Sequence, residues 1–267
     1  MLMAMPAALP EAFYTPLGPN AWQPSEAVIG PWSRDFQHGG PPIALLARAL
    51  RRHTGPEALR LARLTVEFLG PVPVAPCEIE VRVLRPGKRI ELLQAQMMVA
   101  GRPTLLAHAW RLEGLPGSSP VVVDPYVPPA LPEQESTEFF PGVETFPYGE
   151  ALEWRFVRGG FRQSGPAIVW GRPRIPLVAG EPMHGLEGLL TLLDSANGVS
   201  AAHDIRTHTF VPVDLTLNLH REPQGPWFGM DAHTMADEGG IGTVTTSVFD
   251  GQGPVGRSLH TLFVRPR

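Results

Sequence analysis

Two glycines stand directly before a proline pair at the start of an apolar segment, in the run Gln37-His38-Gly39-Gly40-Pro41-Pro42. Proline is tolerated in the first turn of a helix because the N–H groups there have no intrahelical partner. The N-terminal end of a helix carries a partial positive charge, and glycine leaves its backbone N–H groups unobstructed. Gly39 and Gly40 could therefore hold an anion, or polarise a carbonyl whose oxygen becomes negative during a reaction. The alternative is that they only form a tight turn.

A second candidate for chemistry is Asp194, an acid that follows a run of leucines on a largely apolar predicted helix. A carboxylate in such surroundings either finds hydrogen-bond partners or has its pKa raised. Either outcome suits a general base, which works best when its pKa lies near the working pH. The alternative is that Asp194 is a helix-end residue bonded to the backbone of Ser195 or Asn197.

The elements that would position these residues follow from hydrophobic periodicity. Residues 37–52 predict a helix that is apolar around most of its circumference and is therefore buried. Turns containing glycine and proline then separate four predicted strands, at 61–69, 77–84, 89–99 and 104–112. A helix followed by a four-stranded antiparallel meander is an α+β unit.

The same order of elements recurs at an offset of about 150 residues. Leu64-Thr65-Val66 parallels Leu215-Thr216-Leu217 within it. The predicted elements of this second copy are short strands at 152–157 and 167–170, a helix within 182–197, and strands at 213–220, 227–234, 241–249 and 255–264. We therefore expect two similar halves, 13–115 and 149–267, joined by a proline-rich linker at 116–148, with their sheets edge to edge or face to face.

Composition narrows the class of protein. The 267 residues carry a formal net charge of −4, and 43% of them are hydrophobic, which is typical of globular proteins. Nucleic-acid binding is not expected because the cationic residues are few and scattered. Neither a membrane span nor a signal peptide is evident, so we expect a cytoplasmic protein without a membrane partner. A single cysteine, Cys77, excludes an intrachain disulfide, and the scattered histidines argue against a metal site.

Several segments, taken in their order and spacing, resemble the acyl-CoA thioesterase II-like family over nearly the whole chain. They are Gly30-Pro31-Trp32, Gln37-His38-Gly39-Gly40-Pro41-Pro42 with Ala44-Leu45-Leu46-Ala47-Arg48-Ala49, Arg85-Pro86-Gly87-Lys88-Arg89, Leu192-Leu193-Asp194-Ser195-Ala196-Asn197, and Val213-Asp214-Leu215-Thr216 with His220-Arg221. The resemblance implies a double hotdog fold, which consists of two tandem repeats of a long helix wrapped by a curved antiparallel sheet. It also implies hydrolysis of an acyl-CoA thioester by water without a cofactor, in a homo-oligomer of double hotdogs.

The resemblance gives Asp194 the role of the catalytic aspartate, but the chain departs from the family at two other polar positions. Pro212 stands where relatives carry a serine or threonine, and it offers no hydrogen-bond donor. His260, with a one-residue ambiguity against Thr261, stands where relatives carry a glutamine. It could orient the water or take its proton. The alternative for His260 is an ordinary interior histidine, since His108 occupies the matching place in the first half.

Other residues are candidates for binding the substrate. His38 lies beside the two glycines, and Asn197 either orients Asp194 or caps the end of a helix. The phosphates of CoA need cations, and the densest cluster of these is Arg85, Lys88 and Arg89. A charged turn of this kind is often only solvated.

Two other functions remain open at this point. The loss of the hydroxyl at Pro212 favours a non-catalytic module that binds acyl-CoA or a fatty acid. Hydration of an enoyl-CoA on the same fold would need Asp194 and His260 to converge on a buried acyl chain. For hydrolysis, we expect His38-Gly39-Gly40 from the first half and Asp194 from the second to form one site.

Overall fold

The twelve strands among the described residues form a single antiparallel sheet. The computed structural model describes residues 8–267 apart from positions 57 and 123. The strands are β1 (Tyr14–Gly18), β2 (Ala21–Pro24), β3 (Leu59–Phe68), β4 (Cys77–Arg85), β5 (Ile90–Val99), β6 (Arg102–Glu113), β7 (Leu152–Gly160), β8 (Gln163–Pro173), β9 (His208–Leu219), β10 (Phe228–Ala236), β11 (Ile241–Asp250) and β12 (Gly253–Pro266). The α-helices are α1 (Gly40–Arg52), α2 (Pro147–Glu150), α3 (Gly185–Leu193) and α4 (Ala196–Val199).

The order of the strands reflects the repeat in the sequence. Across the sheet the order is β1-β2-β4-β5-β6-β3-β9-β12-β11-β10-β8-β7. Read outward from the centre, β3 corresponds to β9, β6 to β12, β5 to β11 and β4 to β10. β3 and β9 pair with each other there, with Thr65 opposite Thr216. The two halves therefore meet edge to edge, and the predicted antiparallel sheet is confirmed.

One face of the sheet packs on α1. The residues of β5 alternate between buried and less buried, because successive side chains of a strand point to opposite faces. α1 has buried side chains around most of its circumference, and Ile43, Leu46 and Leu50 are fully buried. Burying a side chain of this size contributes roughly 1.5–3 kcal/mol, so this contact is a main source of stability.

Both ends of α1 are held in place. It begins at Gly40 rather than at 37, because Gln37 forms a β-bridge with Ile29 and is therefore extended. The N–H groups of Gln37 and His38 donate to the carbonyls of Val72 and Val28. Near its other end the guanidinium of Arg111 donates to the carbonyl oxygens of Leu50 and His53, at 3.3 and 2.9 Å. These bonds satisfy carbonyl groups that a helix end leaves unpaired. The start of α1 is therefore fixed relative to the sheet.

The second helix differs from the prediction. His184 caps the start of α3, with its Nδ1 accepting from the N–H of Leu186. At the other end the N–H of Ser195 donates to Leu192 three residues back, at 2.9 Å, which tightens the chain and ends α3 at Leu193. A short α4 follows. The expected pair of long helices is therefore wrong for the second half, where the helix breaks at Asp194.

The proline-rich stretch packs on the second half of the sheet. Trp170 Nε1 donates to the carbonyl oxygen of Pro129 at 3.2 Å, and Arg155 donates to Pro132 at 2.8 Å. The N–H of Ser136 donates to the carbonyl of Trp154 in β7. The stretch then leads through Phe139 and Phe140 into α2. Its side chains therefore take part in the packing of the second half.

Within the described part of the chain, no helix combines the length and apolar character needed to cross a membrane.

Candidate active site where α1 meets α3

The two glycines at the start of α1 lie in close contact with the end of α3 and with Asp194. A Cβ atom on Gly40 would overlap the carbonyl oxygen of Thr191 in α3. A Cβ atom on Gly39 would lie 2.7 Å from Oδ2 of Asp194 and 2.7 Å from a ring carbon of Phe68. Only glycine permits contacts this close. The glycines therefore let the start of α1 from the first half lie directly against Asp194 from the second.

His38 and Asp194 are in direct contact at this point. Nδ1 of His38 lies 3.1 Å from Oδ2 of Asp194. The N–H of Gly40 donates to the same Nδ1 at 3.2 Å, so this nitrogen acts as an acceptor. In a neutral imidazole the ring proton then resides on Nε2. The contact between His38 and Asp194 is a hydrogen bond when the carboxyl group carries the proton.

Burial sets the charge of both groups. It raises the pKa of Asp194 to about 7, and the N–H of Gly39 opposes this rise only in part. Burial lowers the pKa of His38 to about 3. The two side chains are 6% and 11% exposed. His38 is therefore neutral near physiological pH, while Asp194 gains and loses its proton in that range, as a general base does.

Tyr148 of α2 fixes the ring of His38. The two rings are stacked, with centroids 3.8 Å apart and planes 7° apart. The Tyr148 hydroxyl donates to the carbonyl of Thr191 at 2.7 Å, and its oxygen lies 2.8 Å from Oγ of Ser195. No motif or spacing in the sequence singles out Tyr148. Tyr148 lies at the end of the proline-rich stretch, and this position in the sequence does not indicate which residues it contacts.

The second carboxyl oxygen of Asp194, Oδ1, differs from Oδ2 in its contacts. Oδ1 is buried and has no hydrogen-bond partner among the described residues. Buried carboxylate oxygens almost always accept a hydrogen bond. Asn197 does not supply one, since its amide donates to the carbonyl of Phe210 at 3.2 Å. Oδ1 is therefore positioned to accept from water or from a ligand.

A small cavity has His38 in its wall. Its volume is about 20 Å³, and its wall includes His38, Tyr148, Ser195 and Asn197 together with a group of aromatic side chains. The cavity therefore begins at the residues that surround Asp194.

Two family models match the chain. The model of the acyl-CoA thioesterase N-terminal domain matches residues 28–112, and that of the C-terminal domain matches residues 127–264. The chain belongs to the acyl-CoA thioesterase family. Thioester hydrolysis is therefore the general class of its chemistry, and the family predicted from the sequence is confirmed.

Solved structures similar to this thioesterase share its fold. A hot dog fold protein of unknown function from Alicyclobacillus acidocaldarius is 20% identical, with a TM-score of 0.70 over 96% of this chain and 97% of the other. A TesB protein from Mycobacterium avium is 15% identical, with a TM-score of 0.68 over 95% and 96%. The acyl-CoA thioesterase II TesB2 from Mycobacterium marinum is 18% identical, with a TM-score of 0.65 over 95% of each chain. Comparison with curated proteins found no match.

His260 of this thioesterase is not in contact with Asp194. It is fully buried in β12, and neither ring nitrogen has a hydrogen-bond partner among the described residues. Burial lowers its pKa to about 4, against a small opposing effect of Asp214. The structure does not bring His260 into hydrogen-bonding distance of the carboxyl group, so its role in holding the water stays a prediction.

Pro212 lies where the pairing of β9 and β12 is irregular. It stands opposite Leu262, and the next pair along the strands, Asp214 opposite Thr261, leaves Val213 unpaired. Oδ1 of Asp214 accepts the N–H of Thr261 at 2.6 Å. A proline is tolerated at such a bulge because its missing N–H breaks no regular ladder.

The predicted cationic cluster lies far from Asp194. All three are exposed, with Arg85 at the end of β4 and with Lys88 and Arg89 in the turn before β5. Ile90, which follows them, pairs with Leu112, next to the Arg111 that binds the end of α1. The cluster is therefore near the C-terminal end of a 13-residue helix whose N-terminal end carries the site, a length of about 20 Å. Its contact with CoA stays a prediction.

The scattered histidines argue against a metal site. Among the residues that the structure describes, no three His, Cys, Asp or Glu side chains lie close enough together to hold a metal ion.

Proposed function

We propose that this protein hydrolyses acyl-CoA thioesters with Asp194 as the general base and His38 as the donor to the thioester carbonyl. The observation that carries the proposal is the buried carboxyl group of Asp194, in contact with a neutral histidine and with Oδ1 free of partners among the described residues. A base with a pKa near 7 is ionised often enough at neutral pH to accept a proton from water.

The reaction proceeds in two steps. Oδ1 of Asp194 takes a proton from a water molecule while the water oxygen bonds to the thioester carbon, and the carbonyl oxygen becomes negative. The carbon–sulfur bond then breaks, and Asp194 returns the proton to the leaving sulfur. The products are the free carboxylic acid and the thiol of CoA, and the carboxylate of Asp194 is regenerated.

The donor to the negative oxygen is assigned to Nε2–H of His38. The N–H of Gly40 is already used by Nδ1 of His38, and that of Gly39 faces Asp194. The sequence analysis expected these two N–H groups to polarise the carbonyl directly. In the present proposal they act on the other groups instead, Gly40 by fixing the tautomer of His38 and Gly39 by limiting the pKa of Asp194. Both glycines then act as positioning residues.

The test is Asp194→Asn, measured as release of free thiol from a panel of short to long acyl-CoAs. We expect the kcat to fall by about 10²- to 10⁴-fold, the range for loss of a general base. The exposed Asp35→Asn is the matched control and should retain full activity. The kcat/KM of the parent should rise with pH up to about 7 and then level off.

Three outcomes would overturn the proposal. An Asp194→Asn variant as active as the parent would remove the base. Tight binding of acyl-CoA by the parent without release of thiol would indicate a binding module instead. Addition of water to crotonyl-CoA without thiol release would indicate an enoyl-CoA hydratase. The geometry gives this last function no support, because His260 does not contact Asp194.

A further inference from the structure

A row of aromatic rings leads from His38 into the second half of the molecule. Tyr148 stacks on His38, and its ring centroid is 6.3 Å from that of Phe146. Phe146 lies 6.5 Å from Phe140, and Phe140 lies 5.0 Å from Phe161. The row ends at Trp154, 5.5 Å from Phe161 in an edge-to-face arrangement. All of these side chains line the cavity beside His38.

Trp154 contributes the one unsatisfied donor among the buried side chains of this wall. Its side chain is about 1% exposed, and its indole N–H has no hydrogen-bond partner among the described residues. A buried indole N–H normally has an acceptor. The polar groups at the other end of the cavity are engaged, since Ser195 contacts Tyr148 and Asn197 donates to Phe210.

We propose that this cavity is the acyl-binding pocket and that it selects a flat, aryl-containing acyl group carrying a hydrogen-bond acceptor that pairs with the N–H of Trp154. This inference rests on the proposed hydrolysis, because it takes His38 as the end of the pocket where the thioester carbonyl lies. A ring inserted among the existing rings makes the same edge-to-face and offset contacts that they make with each other. A straight alkyl chain makes none of these contacts and leaves the indole N–H unpaired.

The cavity is too small to hold an acyl group unless its wall moves. A volume of about 20 Å³ has room for one water molecule, so an acyl group enters only if a side chain moves. Phe140 and Phe146 are buried, and we expect them to be the side chains that move because they come from the segment before α2 rather than from a strand. Trp154 and Phe161 belong to β7 and to the turn that follows it. The pocket therefore opens from the side of the proline-rich stretch and keeps Trp154 in place.

The test compares two thioesters of equal shape, para-methoxyphenylacetyl-CoA and para-ethylphenylacetyl-CoA, with octanoyl-CoA as the straight-chain reference. The parent should prefer the methoxy compound over the ethyl compound in kcat/KM by about 5- to 10-fold, the range for one hydrogen bond to a buried donor. Trp154→Phe keeps a ring in the wall and removes the N–H, so the ratio should fall to about one. Trp170→Phe is the matched control, because its indole N–H already donates to Pro129. It should leave the ratio unchanged.

A binding measurement separates this inference from the proposed function. Calorimetry with para-methoxyphenylacetic acid and para-ethylphenylacetic acid, the free products, should show the same preference and its loss in Trp154→Phe. If no thioester is hydrolysed but this preference is found, the hydrolysis proposal fails and the pocket stands. If thioesters are hydrolysed with no preference between the pair, or octanoyl-CoA is the best substrate, the pocket proposal is wrong and hydrolysis stands. Failure of both acids to bind also overturns the pocket.

Discussion

The two halves of the molecule share a strand order but differ in the helix that each contributes. In the first half α1 runs unbroken for 13 residues and contains no acidic side chain. In the second half α3 ends after 9 residues, and Asp194 lies at the break before α4. The sheet, by contrast, continues across the centre without interruption through the pairing of β3 with β9.

This difference makes the site asymmetric. The first half supplies His38 and the two glycines that allow close approach, and the second supplies the carboxyl group. At the mirrored position, where α3 begins, α1 contributes no acid, and Glu187 of α3 itself is held in the helix cap and paired with Arg51 at 2.7 Å. The repeat therefore yields one candidate site per chain, built from unlike contributions. Changes on the α3 side and on the α1 side should consequently have different effects.

The largest effect on stability is expected from the α3 side. An unfolded carboxyl group has a pKa of about 3.9, whereas that of folded Asp194 is about 7. Between these values the folded state keeps a proton that the unfolded state has lost, so stability falls as pH rises from about 4 to about 7, by up to about 4 kcal/mol. Asp194→Asn removes this titration. Urea unfolding of both proteins at several pH values should show that the free energy of unfolding of the variant rises relative to that of the parent between about pH 4 and 7.

The comparison of Asp194→Asn with the parent can also contradict this prediction. A difference in stability that stays constant from pH 4 to 8 would mean that Asp194 has an ordinary pKa. A variant that is folded, more stable at pH 8 and inactive would show that loss of activity comes from the carboxyl group rather than from unfolding.

On the α1 side, His38→Ala should reduce kcat by about 10²- to 10³-fold, equal to about 3 kcal/mol, because one donor to the negative oxygen is lost. The exposed His233→Ala provides the control. Thiol release under saturating substrate is the measurement. Retention of more than half of the parent rate would contradict the role given to Nε2–H.

Gly40→Ala should push the two helices apart, and its added Cβ would also lie 3.3 Å from the Tyr148 hydroxyl. The added Cβ meets a backbone carbonyl of α3, which cannot rotate away, so we expect a loss of about 1–3 kcal/mol. Gly70→Ala is the matched control, because a Cβ there meets nothing within 4 Å. Thermal unfolding of the two variants compares them directly, and equal melting temperatures would show that the helices do not need this approach.

The smallest effect is expected at the contact between the two sides. Tyr148→Phe keeps the ring that stacks on His38 but removes the hydroxyl bonded to Thr191 and Ser195, for an expected loss of about 1 kcal/mol. Activity should change less than stability does. Urea unfolding and thiol release on the same sample test this, and a hundredfold loss of activity in a stable variant would instead place the hydroxyl in the reaction.

Local patterns in the sequence predict most of the elements closely. The strand predicted at 89–99 is β5, Ile90–Val99, and the one predicted at 241–249 is β11, Ile241–Asp250. Alternation of side chains along a strand is a property of neighbouring residues, so it can be read without knowing the partners. The break in α3 could not be read in this way, because a tightened turn at Ser195 leaves the leucine spacing unchanged.

The sequence by itself determined the repeat, the family and the presence of an acid in apolar surroundings at Asp194. Only the tertiary structure decided which groups contact the carboxyl group of Asp194. The contact of Asp194 with His38 depends on a close approach of the start of α1 to the end of α3, which only glycine at positions 39 and 40 allows. The pairing of β3 with β9 aligns the two halves that carry these residues. The ring of Tyr148 belongs to the proline-rich stretch, which the sequence predicts to be a linker. Such contacts join residues far apart in the chain, and no local periodicity encodes them.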